Sequence, residues 1–157
     1  MISYEKIINS DVIRTYITSA DESLAALGFT EHSFTHVLHV AETAGYILKT
    51  IGYDDATVEI AKVAGYLHDI GKLKLSKNLY GRDKNALQIE EAKYMRMHAK
   101  LGADMLRQCG YCEEICLAVY HHHENYDGSG YPGNLSAEKI PLEARILRVC
   151  DVFAALI

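Results

Sequence analysis

Apolar residues recur every three to four positions along most of the chain. In "HSFTHVLHVAETAGYILKTI" at 32–51, His36, Val40, Ala44, Ile47 and Ile51 fall on one stripe. That spacing matches the turn of an α-helix, which aligns residues three and four apart on one face. No long alternation of apolar and polar residues signals a strand, and the prolines are Pro132 and Pro141. The pattern predicts helices over 3–27, closed by Gly28, and 32–51, closed by Gly52. Further helices are predicted over 55–69, 88–97, 98–108, 112–123 and 141–157, with Asp54 or Asp55 as N-cap of the first of these. It leaves 72–87 and 125–140 irregular, and both are expected to flank a cleft. The fold class is all-α, a bundle of roughly seven helices.

The polar residues on the inward faces change the picture. His36 has His32 one turn before it on the same face. His68 follows Ala64 and Ala61, with Asp69 beside it where the helix runs into Gly71. His98 aligns with Met95, Leu101, Gly102 and Met105; His122 with Ile115, Ala118 and Val119; His123 with Cys116 and Val119. Asp151 shares a stripe with Ala144, Leu147 and Ala155. A single interior histidine is most often a hydrogen-bonded core residue. An inward carboxylate is different, because burying Asp69 or Asp151 as an unpaired ion costs several kcal/mol and few basic partners share those faces. A divalent metal cluster satisfies all seven groups at once, since imidazole and carboxylate are its ordinary ligands.

Composition sets the bounds. A chain of 157 residues that is 49% hydrophobic fits one globular domain without disulfides. Its net charge of −5 excludes a general binder of nucleic-acid polymers or anionic membrane surfaces, and an anionic substrate needs local cations. No stretch has signal-peptide or membrane-spanning character, and the expected location is the cytoplasm. Cys109, Cys112 and Cys116 include a CxxC spacing, but Cys112 and Cys116 stand one turn apart on an apolar side, so they read as packing thiols, as does Cys150.

"HDIGK" at 68–72, His98 with Gly102 as "HxxxG", "HHENYDGSGYP" at 122–132, "IPLEARI" at 140–146 and "CDVFAAL" at 150–156 follow one another in order. Together they resemble the HD-GYP branch of the HD superfamily of metal-dependent phosphohydrolases over residues 32–157, with 1–31 a helical segment packed on or leading into that core. The resemblance implies two divalent ions, iron or manganese first and zinc, nickel or magnesium as alternatives. His36, His68, Asp69 and Asp151 would hold one ion, while Asp69, His98, His122 and His123 would hold the other. His32 matches a residue that holds a third ion in some relatives, whereas His39 and His121 read as outside the cluster, His121 at the surface. The implied substrate is cyclic di-GMP, opened to the linear dinucleotide or on to GMP.

Two cations sharing a carboxylate acidify a water between them and neutralise phosphoryl oxygens during in-line displacement. With catalysis resting on Asp69 and Lys72, Lys72 would neutralise a phosphate oxygen, and Lys72, Gly130, Tyr131 and Pro132 would contact substrate, Tyr131 by stacking on a base. Glu124 and Asp127 would orient ligands or cap the loop. Ala154 stands where the family has a second aspartate, and its basic phosphate-gripping segment would follow Ile157. The expectation is a domain truncated at its C-terminus that binds metals and hydrolyses cyclic di-GMP poorly. The alternatives are a phosphohydrolase for another nucleotide and a catalytically silent signalling or interaction module; a sensor or regulatory domain or a partner protein is a further candidate partner.

Overall fold

A computed structural model describes residues 3–25, 34–79 and 87–157. His32 and the expected boundary between residues 31 and 32 lie outside the described residues. The described residues form eight α-helices and no strand: α1 (Tyr4–Ile8), α2 (Asp11–Ala25), α3 (Phe34–Thr50), α4 (Asp55–Leu67), α5 (Lys72–Leu79), α6 (Leu87–Gln108), α7 (Glu113–His121) and α8 (Leu142–Ala154). A 3-10 turn at Ala137–Lys139 precedes α8.

The all-α expectation holds, with three local corrections. The predicted helix over 3–27 is two, because the chain turns at Asn9 and Ser10, where Ser10 Oγ accepts the amide of Ile13. The segments 88–97 and 98–108 are one helix, α6, since no proline or capping residue interrupts the run of helix-formers between them. The stretch 72–87, read as irregular, begins with α5, and Leu75 there is buried in the bundle. Helix α4 starts where expected: Asp54 caps it by accepting the Thr57 amide at 2.8 Å.

Helices α3 and α4 pack together at the centre, with α8 against both. Helix α7 packs on α4, α6 and α8, α5 bridges α6 and α2, and α1 rests on α4. Val40, Ala41, Ala44, Ala61, Val63, Ala64, Cys116, Ala118, Val119 and Leu147 are fully buried in one cluster. The small residues on α3 and α4 let these helices approach closely, so polar groups at their ends meet in one place.

Gly71 fixes the most demanding of these approaches. Any Cβ there would overlap the carbonyl oxygen of His98 and the amide nitrogen of Gly102. The "HDIGK" turn is thereby pressed against the "HxxxG" turn of α6, which brings Asp69 to His98. The four cysteines are free thiols. Cys116 and Cys150 are buried, as packing thiols should be, and burial pushes the Cys150 thiol up to about 11. Cys109 is exposed instead, because it lies beyond α6, where the chain turns out at Gly110. No helix among the described residues is long and apolar enough to cross a membrane.

Candidate metal centre

Five elements converge on one cleft. His36 comes from the first turn of α3, and His68 and Asp69 from the turn that ends α4. His98 comes from the middle of α6, His122 and His123 from the end of α7, and Asp151 from α8. All seven sequence-predicted ligands are thus brought together.

One group is rich in carboxylate. His36 Nε2 lies 3.0 Å from Asp151 Oδ1, and His68 Nε2 lies 3.3 Å from Asp69 Oδ2 and 3.6 Å from Asp151 Oδ1. His68 Nδ1 donates to the carbonyl of Gly65 at 2.7 Å, which turns Nε2 into the cleft. There Nε2 is buried and makes no well-aligned hydrogen bond. Burial opposes charging of His68, but Asp69 and Asp151 outweigh it and raise its pKa to about 10. Burial likewise opposes charge on Asp69, yet Lys72, His68 and His98 hold its pKa well below the usual range. Asp151 is also lowered, its burial overcome by the bond with His36 and by the nearby charge of His68.

The other group is all imidazole. His98 Nε2 is 3.2 Å from His122 Nε2 and 3.0 Å from His123 Nε2. His98 Nδ1 donates to the Met95 carbonyl and His122 Nδ1 to that of Val119, so both present an Nε2 lone pair to the same point. Burial lowers the pKa of all three, with further lowering from neighbouring imidazoles at His122 and His123, and His123 falls to about 3. Facing lone pairs on neutral rings repel, and protonation is disfavoured. Donors at right angles around a cation, each about 2.0–2.1 Å from it, stand about 3 Å apart. The observed spacing fits a divalent ion, and the carbonyl bonds behind each ring are the usual support for such ligands.

Asp69 lies between the groups. Its Oδ1 is 3.4 Å from His98 Nε2, while its Oδ2 faces His68 and accepts from Lys72 Nζ at 2.7 Å. Lys72 is therefore a buried ion-pair partner, 5% exposed, rather than a surface lysine. Ile17, Ala20 and Asp21 of α2, with Val37 and Tyr66, line a small cavity behind Asp69 and Lys72.

The loop after α7 folds back over the histidines. A Cβ on Gly130 would overlap the backbone of His123, Glu124 and Asn125, so glycine is required at this approach. Tyr131 donates its amide to the His123 carbonyl, and its ring stacks on that of His123 with centroids 4.8 Å apart. Gly130 is buried and the adjoining Pro132 is exposed at the rim, joined to Tyr131 by a cis peptide bond. Glu124 is buried, and its carboxylate accepts the amides of Gly133 at 2.5 Å and Leu135 at 3.0 Å. It thus anchors the loop, whereas the side chain of exposed Asp127 ties its own turn through Ser129. His121, expected at the surface, has a side chain only 12% exposed, because it lies 3.3 Å from the buried Glu124. His39 is exposed. Arg96 and Arg148, which sequence reasoning passed over, stand at the same rim. The available signal was that Arg148 precedes Asp151 by one helical turn and Arg96 precedes His98 by two residues.

A helical bundle that gathers histidines and aspartates from five elements around one cleft is the architecture of an HD domain, and an HD-domain family model matches residues 8–157. With its HDIGK turn and GYP loop, the chain belongs to the HD-GYP branch of the HD-domain family. It is 37% identical over 120 residues to the cyclic di-GMP phosphodiesterase response regulator RpfG of Xanthomonas campestris, covering 75% of this chain and 32% of that protein. It is 33% identical over 129 residues to a cyclic di-GMP phosphodiesterase of Thermotoga maritima, covering 78% and 33%. It is 32% identical over 126 residues to 3'3'-cGAMP-specific phosphodiesterase 2 of Vibrio cholerae, covering 77% and 23%. The chain therefore spans about a third or less of the length of these relatives. The crystal structure of a cyclic GMP-AMP-specific phosphodiesterase of Vibrio cholerae shares the fold, with a TM-score of 0.66 over 90% of this chain and 39% of that one at 17% identity. An HD domain implies divalent-metal binding, and the His/Asp groups described here suit it.

Proposed function

We propose that the domain is a cyclic di-GMP phosphodiesterase working through two divalent ions, iron or manganese by ligand type, that share Asp69. The observation that carries this reading is the position of the Asp69 carboxylate, with one oxygen toward His98 and the other toward His68. His36, His68 and Asp151 would complete one set of ligands, and His98, His122 and His123 the other. When bound, the ions supply positive charge to the phosphoryl oxygens and acidify a water for in-line attack.

The chain's own residues do the rest. The carbonyl bonds of His68, His98 and His122 hold each imidazole in one orientation before any ligand arrives. Lys72 shares Asp69 Oδ2, so its ammonium is within reach of a phosphate oxygen seated on the cluster. Glu124 and Gly130 fix the loop that carries Tyr131 and Pro132, which form the rim met by the nucleotide. The relatives named for 3'3'-cGAMP support a second reading, a mixed cyclic dinucleotide as substrate.

Protein purified without chelator, loaded with iron or manganese and given each cyclic dinucleotide, provides the test. Linear dinucleotide should appear from cyclic di-GMP. A metal-loaded protein that leaves both nucleotides intact would refute the reading.

A further inference from the structure

We propose that Arg96 and Arg148 form a guanidinium pair that binds the second phosphate of a cyclic dinucleotide, the one away from the cut. This rests on the phosphodiesterase reading above. A cyclic dinucleotide carries two phosphodiesters, and a cluster that engages one leaves the other to be neutralised by a chain of net charge −5. Lys72 is already committed to Asp69, and Arg107 to Glu113 and Asp104. Among the described residues neither Arg96 nor Arg148 is in an ion pair.

Both arginines reach the loop after α7, Arg148 at Asn125 and Arg96 at Tyr131. Arg148 lies one turn before Asp151 on α8, so the two side chains share a helix face. Its Nε donates to Asn125 Oδ1 at 2.9 Å, and Asn125 donates to Ser129 Oγ at 3.0 Å. That bond sets the arm and leaves both terminal amino groups of the guanidinium for a ligand. Arg96 reaches across from α6, its guanidinium carbon 5.2 Å from the centre of the Tyr131 ring, which itself stacks on His123. Both cations act on the Tyr131 phenol: burial and the carboxylates of Asp69 and Asp151 raise its pKa to about 12, against the pull of Arg96 and Arg148. A guanidinium presents paired N–H donors that match two oxygens of a phosphate, and a pre-set arm loses little freedom on binding. The pair makes a phosphate grip within these 157 residues, where the sequence reading expected it further along the chain.

The test is binding of cyclic di-GMP and of GMP, which lacks a second phosphate, to immobilised metal-loaded protein under flow, so that turnover does not deplete the ligand. Cleavage is followed separately by chromatography. Arg148→Gln should weaken cyclic di-GMP at least tenfold and GMP less than twofold. Arg96→Gln, at an exposed position where folding is not at stake, should weaken cyclic di-GMP threefold or more with the same selectivity. Equal weakening of both nucleotides, or none, overturns the assignment, as does a wild type that does not bind cyclic di-GMP. Binding without cleavage would instead sink the phosphodiesterase reading, and the ratio of the two affinities would still decide the role of the arginines.

Discussion

At one end of the cleft His36, His68, Asp69 and Asp151 set two carboxylates among imidazoles; at the other His98, His122 and His123 set three imidazoles side by side. The carboxylate end carries its own compensation, because a proton on His68 substitutes in part for a cation and Lys72 neutralises Asp69. The histidine end has no such substitute: its rings are buried, depressed in pKa and turned lone pair to lone pair. The contrast teaches that two sets of ligands of similar burial differ in how much they need metal, and that Asp69, which touches both, couples them.

The largest expected effect comes from removing metal. At 100-fold excess over Kd a native-state ligand adds about 2.7 kcal/mol per site, so chelation should lower the stability of the loaded domain by about 5 kcal/mol for two sites. A thermal melt with and without chelator checks it, and an unchanged curve after verified metal removal would mean the histidines are satisfied without an ion. Next is Gly71→Ala, which sets a methyl group against the backbone of His98 and Gly102 and should cost about 3 kcal/mol. Because it pushes Asp69 from His98, metal should be lost first from the histidine end, read by metal content alongside denaturant unfolding.

A third test is pH dependence of the metal-free chain. The pKa of His123, about 3 when folded, lies below its ordinary 6.5, so between those values the unfolded chain holds a proton that the folded chain does not. Stability should fall as the pH drops below 6.5, by about 1.4 kcal/mol per pH unit from this residue. His68 has the opposite sign: raised to about 10, its contribution is complete below 6.5 and is lost as the pH climbs toward 10. His123→Ala should flatten the acid limb and leave the alkaline limb alone; equal slopes in both proteins would remove the distinction between the two ends. The smallest effect is Glu124→Gln, which keeps the size but weakens acceptance of two loop amides, at about 1 kcal/mol, with metal content retained.

Much of this arrangement was legible in the chain. The ligand residues stand out because each interrupts an apolar helical face, and periodicity reports faces well. Periodicity does not report where a helix is held together by its neighbours. Helix α5 was missed because its charged, short sequence has little helical signal of its own and gains from burying Leu75. The continuity of α6 was missed because the inward His98 at the start of the second predicted segment reads as a break in the apolar pattern, although the helix runs through it to Gly102, where α6 meets the Gly71 turn. Glu124 was left between two roles, since only the folded loop returns the amides of Gly133 and Leu135 to it. Arg96 and Arg148 come from helices far apart in sequence, and only the fold brings both to the loop after α7, Arg96 at Tyr131 and Arg148 at Asn125.

The coupling of the two ends by Asp69 is tested most directly by metal content per chain in the wild type, Asp69→Ala and His123→Ala, each purified without chelator and loaded identically. The account predicts two ions in the wild type, close to none in Asp69→Ala, and retention at the carboxylate end with partial loss at the other in His123→Ala. Full occupancy in Asp69→Ala would contradict it, because a carboxylate that both ions share cannot be removed without cost to either.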